Sequence, residues 1–312
     1  MANLKDIRRR IKSVKNTQKI TQAMRMVAAA KVKRAENKVK AIRPYSEQLK
    51  QILADVSAIA TQQPELLSEL PEGRWLLPAS KPKTLGVIVV SSDRGLCGSF
   101  NSTVIRQAFA LEKHLKSQGI TPKFYLIGRK VTQAFGRYSD SEIMGSLTDM
   151  TAAPTTQDAN QVIKAVSEAF LNGEIDGIEV LSTHFKSMIS YKVYSNSLLP
   201  AIQPERADFL PEHLLSDALD NDSTTANKEL LVEPNPVDVL KTLIPLYLSN
   251  QLYTYLLESS ASELAARMTA MANATNNASD MIGKLTITYN KLRQAAITQE
   301  ILEIVGGAAA LA

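Results

Sequence analysis

The first glycine of this 312-residue chain is Gly73, the only proline before Pro64 is Pro44, and no proline follows Pro245. Glycine and proline are the main interrupters of helices. Each end can therefore run as a helix of about 60 residues, on the order of 90 Å at 1.5 Å per residue. The mean helix is only ~11–12 residues, and propensity alone does not hold one this long; it must lie against something along its length. The chain thus reads as two long terminal helices with a separate compact domain between them.

Both ends carry a heptad. Leu4, Ile7, Ile11 and Val14 are spaced 3-4-3, and Ala28, Val32, Ala35, Val39, Ile42, Ser46, Leu49, Leu53 and Val56 resume the same frame. Between them the frame falls on polar Gln18, Thr21 and Arg25, while apolar residues move to Ile20, Met24 and Val27 on another flank. The partner surface is expected to change around residues 16–27. At the other end Leu264, Met268, Met271, Thr275, Ala278, Ile282, Leu285, Tyr289, Leu292 and Ala296 alternate 4-3, and the stripe ends at Gln299 and Glu303. A 3.5-residue repeat of this length argues for a left-handed coiled coil. The simplest arrangement is an antiparallel coil of the two ends, with the central domain at one end of it; a coil between two copies is the alternative.

Charge is distributed unevenly. The formal net charge is +5, yet residues 1–60 hold 15 Lys/Arg and 4 Asp/Glu, a balance of +11, and the remainder holds 21 and 27, a balance of −6. From Ile7 to Ala35 no acidic residue occurs among Arg8, Arg9, Arg10, Lys12, Lys15, Lys19, Arg25, Lys31, Lys33 and Arg34. Such a field favours an acidic partner, whether protein, nucleic acid or lipid headgroup. The C-terminal helix is the opposite case. From Ser259 onward its charges are few, and the rest is mostly Ala, Thr, Asn, Ser, Met and Ile. Water-exposed long helices usually carry many Glu–Lys pairs, and this one is too polar for lipid. Small, weakly polar side chains all round suit a helix enclosed by protein, a shaft inside a sleeve.

The middle alternates strand and helix. Leu85–Val90 is a buried-strand signal, followed by a glycine-containing turn and a helix from about Ser102 to Lys116. Phe124–Ile127 reads as a strand, Gln157–Leu171 as an amphipathic helix, Ile178–Thr183 as a strand, and Ser187–Leu199 as a further strand beside its neighbour. This pattern indicates a Rossmann-like α/β domain with an at least partly parallel sheet. The fold class is mixed, α+β with α/β: residues 1–60 the N-terminal coil helix, 61–236 the central domain with an acidic surface segment at 205–236, and 237–312 the C-terminal coil helix.

Enzyme signatures are lacking. The turn Ser91–Asn101 (SSDRGLCGSFN) lacks the G-x-x-x-x-G-K-[ST] spacing of a phosphate loop, and no G-x-G-x-x-G occurs. Gly95 and Gly98 read instead as residues permitting a tight turn. Cys97, the single cysteine, excludes an internal disulfide and reads as a small buried thiol. His114, His184 and His213 are scattered and give no metal-ligand spacing. No catalytic site, metal or cofactor is expected in this chain. The longest apolar runs fall far short of the ~20 residues of a membrane span, and the basic N-terminus continues into helix without an apolar signal core.

Three blocks then carry a resemblance: KDIRRRIKSVKNTQKITQAMRMVAAAK (Lys5–Lys31), SSDRGLCGSFN, and Ala261–Ala310 with its KLRQAAITQE. In this order they resemble the gamma-subunit family of F-type ATP synthases. The resemblance implies an antiparallel coil inside a hexamer of alternating alpha and beta subunits. It also implies a central domain that meets the epsilon subunit and the membrane c-ring, on the cytoplasmic or stromal-equivalent face of a plasma or thylakoid membrane. Ion flow turns such a shaft, which drives the beta subunits through their nucleotide states. Arg293 and Gln294, with Thr298 and Glu300 close by, match the family's polar contacts to beta, and Met24 matches its methionine near that cluster. No nucleic-acid partner is implied. The rival readings from the residues themselves are a basic coiled-coil nucleic-acid-binding or scaffold protein and an α/β enzyme with a coiled-coil arm.

Overall fold

The structure, a computed structural model, describes residues 4–60, 75, 82–188, 190–201, 210–214, 232, 233 and 235–311. Helix α1 spans Leu4–Ala60 and runs through Pro44 without a break. After it come β1 (Thr84–Val90), α2 (Phe100–Ser117), β2 (Thr121–Ile127), α3 (Arg129–Tyr138), β3 (Ile143–Leu147), α4 (Thr156–Leu171), β4 (Gly177–Phe185) and β5 (Tyr191–Leu199). A 3-10 turn, Glu212–Leu214, precedes helix α5, Pro236–Leu311. The chain divides into two compact units, Met1–Ala30 with Arg267–Ala312, and Lys31–Ala266. The division therefore falls within both long helices rather than at their ends.

In the larger unit the sheet runs β3-β2-β1-β4-β5. Ile88 of β1 sits beside Tyr125 of β2 and Val180 of β4, both in parallel register, and β3 is parallel to β2. Only β5, at the edge, is antiparallel, with Ser195 opposite Leu181. The TLGVIVV run of β1 is apolar on both faces because both faces are covered, the mark of a central parallel strand. On one face Val87, Val89, Phe124 and Leu126 pack against α2 and α3, where Phe135 stacks on Phe109 with ring centres 4.7 Å apart. On the other, Ile88, Val90 and Val180 pack against α4, the last turns of α1 (Leu49, Leu53, Val56) and the first half of α5 (Leu240, Leu248, Leu252). Burial of α1 beyond Pro44 explains why the missing N–H there does not end the helix: tertiary packing outweighs the lost bond.

Local chemistry sets the helix starts. Thr155 caps α4 reciprocally, its hydroxyl accepting from Asp158 N–H at 3.3 Å while the Asp158 carboxylate accepts from Thr155 N–H at 2.8 Å. Asn235 caps α5, accepting from Asp238 N–H at 2.9 Å ahead of Pro236 in the first helical position.

The predicted strands and helices of the middle domain are all present, and two elements lie between them that sequence patterning did not mark, α3 and β3. Segment 205–236, read as surface, falls mostly outside the described residues, but Leu210 and Leu214 are buried in the α2 face of the core. That part of the segment is core lid rather than surface, because the sheet face above Leu181 and Val193 needs apolar cover. The same face holds a buried carboxyl. Glu179 of β4 accepts from the Ser195 hydroxyl at 2.9 Å, and burial pushes its pKa up to about 7 against the pull of the Ser195 and Ser197 hydroxyls.

Candidate functional site

Two regions carry the blocks singled out in the sequence. The first is the turn Ser91–Asn101, which crosses the C-terminal ends of the parallel strands. Asp93 is its hub. One carboxylate oxygen accepts from Arg129 N–H at 3.0 Å and Asp149 N–H at 2.9 Å; the other accepts from Thr151 N–H at 3.1 Å and the Thr151 hydroxyl at 2.6 Å. These bonds tie the ends of β1, β2 and β3 to one side chain. Partial burial pushes the Asp93 carboxyl up, but the four donors outweigh it and hold it below the usual carboxylate range. Ser92 and Asn101 close the turn, with Asn101 Oδ1 accepting from Ser92 N–H at 3.0 Å and from the Ser92 hydroxyl at 2.9 Å.

Cys97 is buried between Phe100 and Ala266, with the Asn101 amide donating to its sulfur at 3.1 Å, in agreement with an inert packed thiol. Of the two glycines only Gly98 takes a left-handed conformation (φ 59°). The second left-handed residue of the turn is Leu96 (φ 64°), which is exposed, and not Gly95. Gly128, which starts α3, is glycine for a steric reason: a Cβ there would stand 2.7 Å from the Ser91 carbonyl oxygen. The cleft beside the turn is lined by Ser91, Ser92 and Thr151 on one side and Leu256, Ser259, Ser260 and Glu263 of α5 on the other. In open α/β sheets this edge commonly faces a ligand; here it faces the chain's own helix.

The second region is the coil of the smaller unit. Ile7, Ala28, Met271 and Ala278 of the heptad frame are buried, and Thr275 donates to the Thr21 hydroxyl at 2.8 Å across the seam. The expected change of partner surface at residues 16–27 takes a different form. Gln18 is half-buried and Thr21 buried, so the seam keeps its frame through Thr21 and loses it only at exposed Arg25, and Ile20, Met24 and Val27 point outward as a second, exposed apolar face. The seam tolerates Thr21 because its hydroxyl has partners in Gln18 O and Thr275.

The residues carried over from the resemblance occupy the outside of the coil. Met24 is 39% exposed, and Arg293, Gln294, Thr298 and Glu300 are exposed on α5, with the Thr298 hydroxyl donating to Gln294 O at 2.9 Å. Among the described residues neither Arg293 nor Glu300 forms an ion pair. Beyond them Ile301, Leu302, Ile304 and Val305 are exposed as well. On α1 the charged side chains Arg8, Arg10, Lys12, Lys15, Lys19 and Arg25 are exposed and, among the described residues, lack an acidic neighbour within ion-pair distance; Arg9 pairs with Asp6.

An α/β domain in one unit and a two-helix coil in the other, the coil's outer faces basic and apolar together, define a subunit of a larger assembly: single exposed apolar side chains are ordinary, but a row of them beside unpaired cations marks a contact surface. Comparison with known proteins identifies the assembly. The ATP synthase family model matches residues 3–311. The ATP synthase gamma chain of Nostoc punctiforme is 43% identical over 323 residues covering the whole of both chains, and that of a Cyanothece species is 43% identical over the same span. Among solved structures, the central stalk and c-ring of the Tetrahymena thermophila mitochondrial ATP synthase matches 82% of this chain and 99% of its own, with a TM-score of 0.56 at 25% identity. A Euglena gracilis mitochondrial ATP synthase chain has a TM-score of 0.54 at 18% identity and shares the fold. The chain belongs to the ATP synthase gamma-chain family.

Proposed function

We propose that this chain is the central rotor shaft of an F-type ATP synthase, coupling ion-driven rotation of a c-ring to the conformational cycle of the catalytic sites on beta subunits. The observation that carries the reading is the full-length match to gamma chains at 43% identity, and it replaces the nucleic-acid-binding alternative. Physically, a shaft acts by differential contact. It binds three otherwise equivalent housings in unequal ways and so biases each toward a different state. In this reading the chain has no catalytic site of its own; hydrolysis and synthesis belong to its partners.

The exposed faces of the coil suit that role. The apolar face Ile20–Met24–Val27 and the apolar end Ile301–Val305 form the sliding surface inside the alpha–beta hexamer. Met24, Arg293, Gln294, Thr298 and Glu300 are its contacts to beta, and the unpaired cations of α1 face acidic groups of the housing. The α/β domain carries epsilon and the c-ring, which places the chain peripherally on an energy-transducing membrane; among the described residues no helix is long and apolar enough to cross one. With one cysteine in the chain there is no dithiol here for a redox switch.

The test is co-expression with alpha and beta subunits. The chain is expected to purify in a complex with both, and that complex to hydrolyse ATP. A chain that purifies alone from cells containing both subunits overturns the reading.

A further inference from the structure

Within the larger unit the seam between α1 and α5 is apolar at Val32, Val39, Leu257, Ala261 and Leu264, and then abruptly polar. Glu258 of α5 is almost fully buried, its side chain 7% exposed. One of its oxygens accepts from the Arg43 guanidinium of α1 at 3.3 Å, and the other lies 2.6 Å from Nδ1 of His184 on β4. The next residue, Ser259, accepts from Thr183 N–H of β4 at 3.1 Å. One turn before Glu258 the Thr254 hydroxyl lies 3.1 Å from the Ser46 hydroxyl, and about two turns before it Asn250 donates to the same oxygen at 2.7 Å. Ser46, Asn250 and Thr254 are all buried.

A buried carboxylate is costly unless paired, and removing one partner leaves an uncompensated charge. A buried polar layer inside an apolar seam is likewise satisfied in one register only, which is the best-attested use of such groups in coiled coils. Sliding α1 by one residue breaks the bonds to Ser46 and Arg43, and rotating α5 on its axis breaks these and the contact with His184 together. Apolar side chains resist such movement far less, because one methyl contact replaces another.

We propose that Glu258, with Arg43 and His184, is a three-way positioning clamp that locks α1 and α5 to each other and to β4, so that a twist applied to the α/β domain enters both helices as one body. The mechanical half of this statement rests on the rotor reading above; the clamp itself does not.

The experiment therefore has two arms. In the full chain, amide hydrogen exchange is followed in the wild type, in Glu258→Gln, which keeps the shape and loses the charge, in His184→Phe, and in Glu112→Gln. Glu112 is a buried carboxylate on α2 that accepts from Lys116, Ser139 and Ser141, away from the seam. Glu258→Gln is expected to speed exchange in residues 39–46 and 254–262 roughly tenfold or more, and His184→Phe less, while Glu112→Gln leaves those segments unchanged. Unchanged exchange in Glu258→Gln, or equal acceleration there by Glu112→Gln, overturns the clamp. In the complex with alpha and beta, the angular spread of a bead attached to the α/β domain is recorded with the hexamer held by a non-hydrolysable nucleotide. Glu258→Gln is expected to broaden it and Glu112→Gln to leave it alone; identical spreads overturn the mechanical half. Failure of the wild-type chain to assemble at all counts against the rotor reading, and the exchange arm still decides the clamp.

Discussion

The two compact units solve the same problem, keeping two long helices side by side, in opposite ways. In Lys31–Ala266 the helices are enclosed by their own chain: Val32, Val39, Leu257 and Ala261 are buried against one another and against Phe185, and Ser46, Asn250, Thr254 and Glu258 inside the seam have polar partners. In Met1–Ala30 with Arg267–Ala312 the heptad frame, apart from exposed Arg25, is buried or half-buried and little else is. Ile20, Met26, Val27, Met281, Ile287 and Ile304 are each more than half exposed. The first unit covers its helix seam within its own fold. The second leaves a larger share of its apolar side chains uncovered, and its stability and meaning depend on what surrounds it.

Substitutions can break or sharpen this contrast, since the closed unit should register them in the chain alone and the open unit should not. The largest effect is expected at Asp93. Asp93→Ala orphans the donors of Arg129, Asp149 and Thr151 that hold three strand ends together, and should lower stability by about 3 kcal/mol in denaturant unfolding of the full chain. A loss under about 1 kcal/mol would show that water replaces the hub.

Next comes Glu179, whose folded-state pKa of about 7 stands above its ordinary value of 4.5. The folded chain keeps a proton that the unfolded chain releases between those values. The stabilising contribution is complete below pH 4.5 and is lost as pH rises through about 7. Glu179→Gln should thus be more stable than wild type by roughly 1–3 kcal/mol at pH 8, and the advantage should vanish toward pH 5. A pH-independent difference between the two unfolding curves would contradict it.

A smaller effect is expected in the open unit. Replacing Thr21 and Thr275 together by Val exchanges one part-buried hydroxyl pair for methyl contact and should move stability by no more than about 1 kcal/mol in either direction. The smallest is Met24→Lys, within about 0.5 kcal/mol in the chain alone because the side chain is already partly in water. Its consequence belongs to the complex, where ions moved per ATP hydrolysed should fall. Normal coupling in that variant removes Met24 from the proposed contact set, and a large loss of stability in the chain alone removes the contrast between the units.

Much of the fold is legible in the sequence. β1 announced itself by a run of apolar residues with no alternation, and α2 and α4 by their 3.6-residue stripes. Helix α3 and strand β3 went unmarked for physical reasons. RKVTQAFGRY has few apolar residues and a glycine near its end, and IMGSL holds Gly145 where a Cβ would stand 2.6 Å from the Tyr125 ring. Small residues chosen for a neighbour's sake look like turn signals in one dimension. The turn Ser91–Asn101 was visible as a motif, but the part played by Asp93 was not, because its donors lie 36, 56 and 58 residues away.

The sequence by itself determined that there are two long helices, which faces of them repeat every 3.5 residues, that α1 is basic, and that strand and helix alternate between them. These are properties of spacing and composition, and spacing is local. Tertiary structure alone decided which polar residues of the heptad frame are satisfied, where the compact units divide, and that Glu258 meets both Arg43, 215 residues away, and His184, 74 residues away. Such choices rest on contacts between distant segments, where the cost of an unpaired buried group, not the propensity of any one helix, selects the register.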